Sequence, residues 1–258
     1  MLHIAVAGAS GRMGSAFMDF LEKIEGVEAL PIAAHPVADE NFTQLEAVAG
    51  RGGLDVVVDF SSPDATLRLA EWAAANQKPM VIGTTGFTAE QLDKLAEILY
   101  PVPVLLSPNM SLMMNLAWRM MGNAAKVLPH DTIDIEIVEK HHRNKRNAPS
   151  GTALIMAQIV AEKRGWSLAE SLRHNSRWGL LGERPRKEIA ISSIRGGSLN
   201  SEHTIIFAGS GESLEVTHSC QTLEPFSKGA LRGSRWIIRQ PSGVYDLLDM
   251  MGLPEVLF

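Results

Sequence analysis

Leu2-His3-Ile4-Ala5-Val6-Ala7-Gly8-Ala9-Ser10-Gly11-Arg12-Met13-Gly14 begins as a short apolar run and breaks into three glycines. The run reads as a buried strand. From Met13 to Ile24 the spacing turns helical, with Phe17, Phe20, Leu21 and Ile24 on one face. A strand, a glycine turn and a helix, in that order, form the context in which a dinucleotide pyrophosphate is held. Glycine lets the backbone turn sharply and lets phosphate come close, while the helix N-terminus adds N–H donors and partial positive charge. The spacing is G-x-x-G-x-x-G rather than the commoner G-x-G-x-x-G. Gly8, Ala9, Ser10, Gly11, Arg12 and Met13 are the candidate cofactor contacts. Arg12 either touches phosphate or points into solvent.

The same rhythm continues outward from this turn. Val27–Ala34, Leu54–Phe60, Pro79–Gly83 and Val102–Ser107 read as apolar strands, with helical stretches to about Asn76 and Leu99 between the later ones. Ser61-Ser62-Pro63-Asp64 looks like a helix cap, and Thr88 with Gln91 has capping-box spacing. Continuous apolar strands alternating with helices predict a Rossmann-type parallel sheet covered on both faces. After Asn109 the pattern changes. A helix capped by Ser111 runs to about Val127, with Met113, Met114, Met120 and Met121 read as core or subunit packing. Ile133, Ile135 and Ile137 are set against Asp134, Glu136 and Glu139 as a half-buried strand. A helix follows from Ser150 to about Arg164, then a long loop over Arg164–Pro185. Strands at Glu188–Ile194, Thr204–Phe207 and Ser213–Thr217 predict a largely antiparallel open sheet. A last helix near Phe226–Ile238 and the tail Val244–Leu257 close the chain. The expected class is α/β: residues 1–110 plus about 222–258 form a dinucleotide-binding domain, and 111–221 an α+β open-sheet domain for substrate and oligomerisation.

Composition narrows the function classes. The 258 residues suffice for two modest domains, and a net charge of −5 gives no reason to expect nucleic acid or an acidic membrane as partner. The single cysteine, Cys220, permits no internal disulfide and fits a reducing cytoplasm. The N-terminal apolar run is too short for a secretory signal, and no stretch has the length of a membrane span.

The chemistry is expected at strand ends. An acid closing the second strand would favour NAD by binding the adenosine ribose. Here the strand runs into Ala33-Ala34-His35-Pro36, and Asp39 and Glu40 come late. His35 either stacks on adenine, meets a 2′-phosphate or is an exposed loop residue, which tips the cofactor toward NADPH and leaves NADH open. Gly83-Thr84-Thr85-Gly86 and Ser107-Pro108-Asn109-Met110 follow two further strands and suit a nicotinamide ring. Glu139-Lys140-His141-His142-Arg143-Asn144-Lys145 then crowds cationic side chains beside Ser150, Gly151 and Thr152 at a helix start. Together they suit carboxylate binding, and a histidine there passes protons near neutral pH. No ligand spacing suggests a metal.

These stretches resemble the bacterial 4-hydroxy-tetrahydrodipicolinate (dihydrodipicolinate) reductase family. The likeness rests on Val6–Gly14, Val81–Phe87 and His141-His142-Arg143-x-Lys145-x-x-Ala148-Pro149-Ser150-Gly151-Thr152-Ala153. Arg195-Gly196-Gly197, Glu202-His203-Thr204 and Gly211–His218 extend it over almost the whole chain. The resemblance implies NAD(P)H-dependent reduction of a cyclic unsaturated dicarboxylate for diaminopimelate and lysine synthesis. It implies His141 as proton donor and Lys145 as second acid and substrate contact, with substrate carboxylate on His142, Gly151 and Thr152; the position of Ser150 at the same helix start adds it to that site. Gly8–Met13, Gly83–Thr85 and Ser107–Met110 would line the cofactor, and the protein would be a homotetramer built through its C-terminal sheet. The chain departs from the family pattern at Asn147 (usually aspartate), Ser201 (usually glycine), Thr222-Leu223 (usually a Ser-Arg pair) and Ala34-His35. A same-fold reductase acting on another imine or keto acid is the alternative these departures raise.

Overall fold

The computed structural model describes residues 1–32, 45–46, 53–174, 177 and 179–253. The chain divides into two compact units, Met1–Leu112 with Leu223–Phe258, and Met113–Thr222.

In the first unit, β1 (Leu2–Ala7), β2 (Val27–Ile32), β3 (Val56–Asp59), β4 (Met80–Ile82), β5 (Pro103–Leu106) and β11 (Gly243–Tyr245) form a sheet in the order β11-β5-β4-β3-β1-β2. Every pairing is parallel. Helices α1 (Arg12–Leu21), α2 (Pro63–Ala75) and α3 (Ala89–Leu99) follow β1, β3 and β4, and such crossovers bring strands back parallel. Successive side chains alternate between the sheet's two faces, and both faces are buried. Ala5, Ala7, Val57, Met80, Ile82 and Val104 join one cluster with Leu69 and Ala73 of α2 and Leu95 of α3. Ile4, Val6, Val58, Val81 and Leu105 join another with Phe17 of α1 and Ile237 of α7 (Glu224–Ile237). This double burial is why these strands read as continuous apolar runs. Thr88 and Gln91 form the expected capping box. Ser62 stands at the N-cap of α2, but its hydroxyl makes no cap bond; Pro63 follows at the first turn, where a missing N–H costs nothing.

The second unit has a five-stranded sheet in the order β10-β9-β6-β8-β7: β6 (Asp134–His141), β7 (Leu172–His174), β8 (Ile189–Arg195), β9 (Ser201–Ala208) and β10 (Ser213–Cys220). It is mixed rather than largely antiparallel. β10–β9 and β6–β9 run antiparallel, while β6–β8 and β7–β8 run parallel. The crossover through α5 (Gly151–Arg164) sets the parallel half. Arg164–Pro185 is not all loop, since it holds α6 (Leu168–Ser171) and the three-residue β7, both too short to show periodicity. The tail likewise contains β11 and α8 (Leu247–Met250). Met114 and Met121 of α4 (Leu112–Val127) pack in the core against Ile135, Ile137, Ile191 and Phe207, while Met113 and Met120 are exposed.

Candidate active site

In the first unit the predicted cofactor residues share one edge of the sheet. β1 and β2 run to one side and β3 returns on the other side of β1, so the strand order reverses between β1 and β3; ligands of such sheets bind beyond the strand C-termini there. Gly8 sits at this point with φ +76, and a Cβ on it would lie 2.4 Å from the Phe60 carbonyl oxygen. A Cβ on Gly14 would lie 2.0 Å from the Gly8 carbonyl oxygen. The first amides of a helix have no intrahelical acceptor, and among the described residues no side chain caps those of α1. The Phe60 ring packs edge-on to Phe17 and also closes on Gly83, whose Cβ position lies 2.4 Å from it and 3.4 Å from the Met110 methyl. The run Gly8, Phe60, Gly83, Met110 is therefore continuous. Thr84 is buried and Thr85 exposed; Ser107 is buried and donates to the Asn109 carbonyl at 2.9 Å. His35 lies outside the described residues.

Beneath this edge lies a residue that the sequence reading did not single out. Asp59 is fully buried at the end of β3 and accepts from the Ser61 amide (3.0 Å), the Ser61 hydroxyl (2.5 Å), the Thr84 hydroxyl (2.9 Å) and the Thr66 hydroxyl. Its burial, only partly offset by these donors, pushes the carboxyl above the usual aspartate value. It ties the turn after β3 to the turn after β4.

In the second unit the polar cluster is built on β6. Its burial alternates strictly, and Ile135, Ile137, Glu139 and His141 all face inward. The sequence reading placed Glu139 on the polar face; it shares the parity of the isoleucines and is fully buried. Its charge is met from three sides. Arg195, at the end of β8, donates Nη1 to Oε2 at 2.8 Å and Nη2 to Oε1 at 2.7 Å. The Ser150 amide reaches Oε1 at 3.2 Å, and His141 Nδ1 lies 2.5 Å from Oε2. Burial pushes the Glu139 carboxyl up, but hydrogen bonds from Arg195, Ser193 and His141 outweigh it and hold it down at about 2.

An ionised carboxylate only accepts, so His141 Nδ1 carries the hydrogen. His141 Nε2 then has the lone pair of the neutral ring, and the Ser201 hydroxyl lies 3.0 Å from it. Burial holds this imidazole below its ordinary value against the pull of Glu139. His203 packs edge-on against His141 with centroids 5.1 Å apart, and its own burial pushes it down to about 3. Its Nε2 lies 2.8 Å from the Ser150 hydroxyl, which accepts from the Ala153 amide and caps α5. Gly151 is exposed at the first position of that helix, and the space around its Cβ position is open.

Two family models match the chain, "Dihydrodipicolinate reductase, N-terminus" over residues 2–110 and "Dihydrodipicolinate reductase, C-terminus" over 113–251. The chain belongs to the dihydrodipicolinate reductase family. A 4-hydroxy-tetrahydrodipicolinate reductase of Syntrophus aciditrophicus (strain SB) is 39% identical over 267 residues, covering 98% of this chain and 99% of that one. One from Anaeromyxobacter dehalogenans (strain 2CP-1 / ATCC BAA-258) is 40% identical over 268 residues, covering 98% of each. A solved dipicolinate-bound dihydrodipicolinate reductase from Paenisporosarcina sp. TG-14 has the same fold, with TM-score 0.73 over 96% of this chain and 98% of that one at 23% identity.

For this family member the structure brings His141 and Ser150 together around Glu139. His142 and Lys145 stand half-buried on the loop that joins β6 to α5, and the Lys145 charge bears on His141. Thr152 is half-buried in the first turn of α5. Glu139, Arg195, Ser201 and His203 are the residues that sequence reasoning left without a role. Parity along β6 would have found Glu139. Among the described residues no His, Cys, Asp or Glu cluster suits a metal ion, and no helix is long and apolar enough to cross a membrane.

Proposed function

We propose that this chain is a 4-hydroxy-tetrahydrodipicolinate reductase, which reduces a cyclic unsaturated dicarboxylate to tetrahydrodipicolinate in the cytoplasm for diaminopimelate and lysine synthesis. The observation that carries this reading is the grip of one buried carboxylate on both an imidazole and the start of an open helix. His141 supplies the proton and α5 presents N–H groups suited to a carboxylate.

The residue roles follow. His141, protonated at Nε2, donates to the position where negative charge develops on the substrate; such donation is worth about 10²–10⁴ in rate. Glu139 keeps the other nitrogen protonated and balances the imidazolium. Lys145 is the second acid and a substrate contact. His142, Gly151 and Thr152 bind substrate carboxylate, and Ser150, its amide on Glu139 and its hydroxyl capping α5, shapes that site from beneath.

Met1–Leu112 with Leu223–Phe258 is the dinucleotide-binding domain. The uncapped N-terminus of α1 and the tight backbone turn that Gly8 and Gly14 make possible fit a pyrophosphate. Gly8–Met13, Gly83–Thr85 and Ser107–Met110 hold the dinucleotide, and His35 favours NADPH over NADH. When bound, this group supplies the reducing electron pair. Met113–Thr222 is the substrate domain and builds a homotetramer through its sheet, where Ile194 and Leu214 are exposed.

The test is a coupled assay. The protein is mixed with dihydrodipicolinate synthase and its substrates, and nicotinamide absorbance is followed with NADPH and with NADH. Oxidation of either is expected. No oxidation with either, but turnover of another cyclic imine or keto acid, would replace this substrate with that one.

A further inference from the structure

Glu139 has two oxygens that do different work. Oε2 faces His141 Nδ1, and Oε1 receives the Ser150 amide, the residue that caps α5. Arg195 spans both oxygens, and its Nη2 also donates to the Asn147 carbonyl at 2.7 Å on the loop between His141 and Ser150. A carboxylate whose only task was to offset Arg195 would not need to reach an imidazole and a helix cap as well. The groups facing His141 are Glu139 on its own strand, Arg195 from β8, Ser201 and His203 from β9, and Lys145 from the loop. Of these, Glu139 alone is an anion.

We infer that Glu139 is a positioning residue of the reaction, locking His141 with its transferable proton on Nε2 and holding that nitrogen in register with the carboxylate-receiving start of α5. This rests on the reductase reading above. The chemistry is one proton transfer. The imidazolium Nε2–H bond breaks, a bond from that hydrogen to the reduced substrate forms, and neutral His141 keeps its hydrogen on Nδ1. Between turnovers a solvent proton returns to Nε2. Glu139 neither gains nor loses a proton.

Glu139→Gln in the full-length protein separates this role from scaffolding. An amide nitrogen in place of Oε1 would face two fixed donors, the Ser150 amide and Arg195. In place of Oε2 it faces Arg195 and His141, and His141 alone can adapt, by moving its proton to Nε2. The variant is therefore expected to show the Nε2–H tautomer in ¹⁵N NMR of labelled histidine. Its kcat should fall roughly 10–100-fold, the loss seen when a carboxylate that orients a metal-bound histidine is removed. KM should rise because the α5 cap shifts with it. The high-pH limb of kcat/KM should move to lower pH, since the anion favouring imidazolium is gone. Dinucleotide affinity should not change. Glu139→Asp, which keeps the charge, should retain the Nδ1–H tautomer and recover part of the rate.

Glu139→Gln with unchanged tautomer, rate and pH limb overturns the inference. If that variant does not fold, the wild-type protein decides: Nδ1–H in neutral His141 upholds the inference and Nε2–H overturns it. A wild-type protein that fails the reductase assay yet shows Nδ1–H counts against the reductase reading and leaves the grip standing.

Discussion

Replacing Arg195 by methionine would remove the cation from a carboxylate with no solvent exposure. The side chain is of similar length and itself mostly buried, so little cavity results. What is lost is the pair of 2.7 and 2.8 Å hydrogen bonds to Glu139 and the bond to the Asn147 carbonyl. The size of the loss can be reached in two ways. Glu139 is held at about 2 against an ordinary 4.5 by Arg195, Ser193 and His141 together, a gap worth roughly 3 kcal/mol of folding free energy at neutral pH in which Arg195 has the largest share. The sign is that of a depressed acid: the stabilisation is complete above 4.5 and vanishes as pH falls toward 2. Independently, removing one partner of a buried ion pair costs about 3–5 kcal/mol. Arg195→Met should therefore cost about 3 kcal/mol. In urea unfolding with an m value of ~2 kcal/mol/M, that is a midpoint drop of about 1.5 M. Hydrogen exchange at β6, β8 and β9 would assign the loss to Met113–Thr222. The double variant Arg195→Met with Glu139→Leu leaves no buried ion at this site and should regain part of the stability, though not the activity, because the Ser150 amide and His141 Nδ1 lose their acceptor. A single variant within about 0.5 kcal/mol of wild type would refute the account of Glu139 as a carboxylate held ionised by Arg195.

Four further outcomes are expected. His141→Ala should lower kcat by about 10²–10⁴ while dinucleotide affinity stays the same; unchanged turnover would remove His141 as the acid. Gly14→Ala drives a methyl into the Gly8 carbonyl and should weaken dinucleotide binding at least about tenfold by calorimetry, whereas normal affinity would place the pyrophosphate elsewhere. Asp59→Ala takes the acceptor from three hydroxyls and should cost roughly 2–4 kcal/mol in thermal or urea unfolding; a change under about 1 kcal/mol would show that they re-pair locally. His203 is held at about 3 against an ordinary 6.5, so it must stay neutral to remain folded. Its share of stability, on the order of 5 kcal/mol, is complete above 6.5 and lost as pH falls toward 3. Stability that stays flat from pH 6.5 to 5 would argue that the buried ring accepts a proton freely.

The inner strands of the N-terminal sheet, β1, β3, β4 and β5, were readable because they are covered on both faces, which leaves apolar runs between helices, whereas the short, partly exposed edge strand β11 was not. The turn after β1 and the capping box at Thr88 are equally local, so they too were visible. In the second sheet β6, β8, β9 and β10 were readable as strands, but their order and direction were not, because the register joins residues far apart in the chain. Arg195 reaches Glu139 only because β8 lies parallel to β6, and Ser201 and His203 reach His141 only because β9 lies antiparallel on its other side. Glu139 was a different kind of miss. Its parity matches the isoleucines, but at the end of an amphipathic strand a charged residue reads by its polarity as solvent-facing rather than by its position as buried. The loop reading of Arg164–Pro185 failed for lack of length, since a three-residue strand leaves no period to count.

The first unit is discontinuous: β11 pairs with β5 across the whole of the second unit, through Val244 opposite Val104. On the ribosome this sets an order. β1 to β5 emerge first, but α7, which covers one face of their sheet, and β11, which closes its edge, are not yet made. Met113–Thr222 leaves the ribosome with all five of its strands while one face of the N-terminal sheet is covered by α1 without α7. The inserted unit can therefore complete its fold before the unit that precedes it.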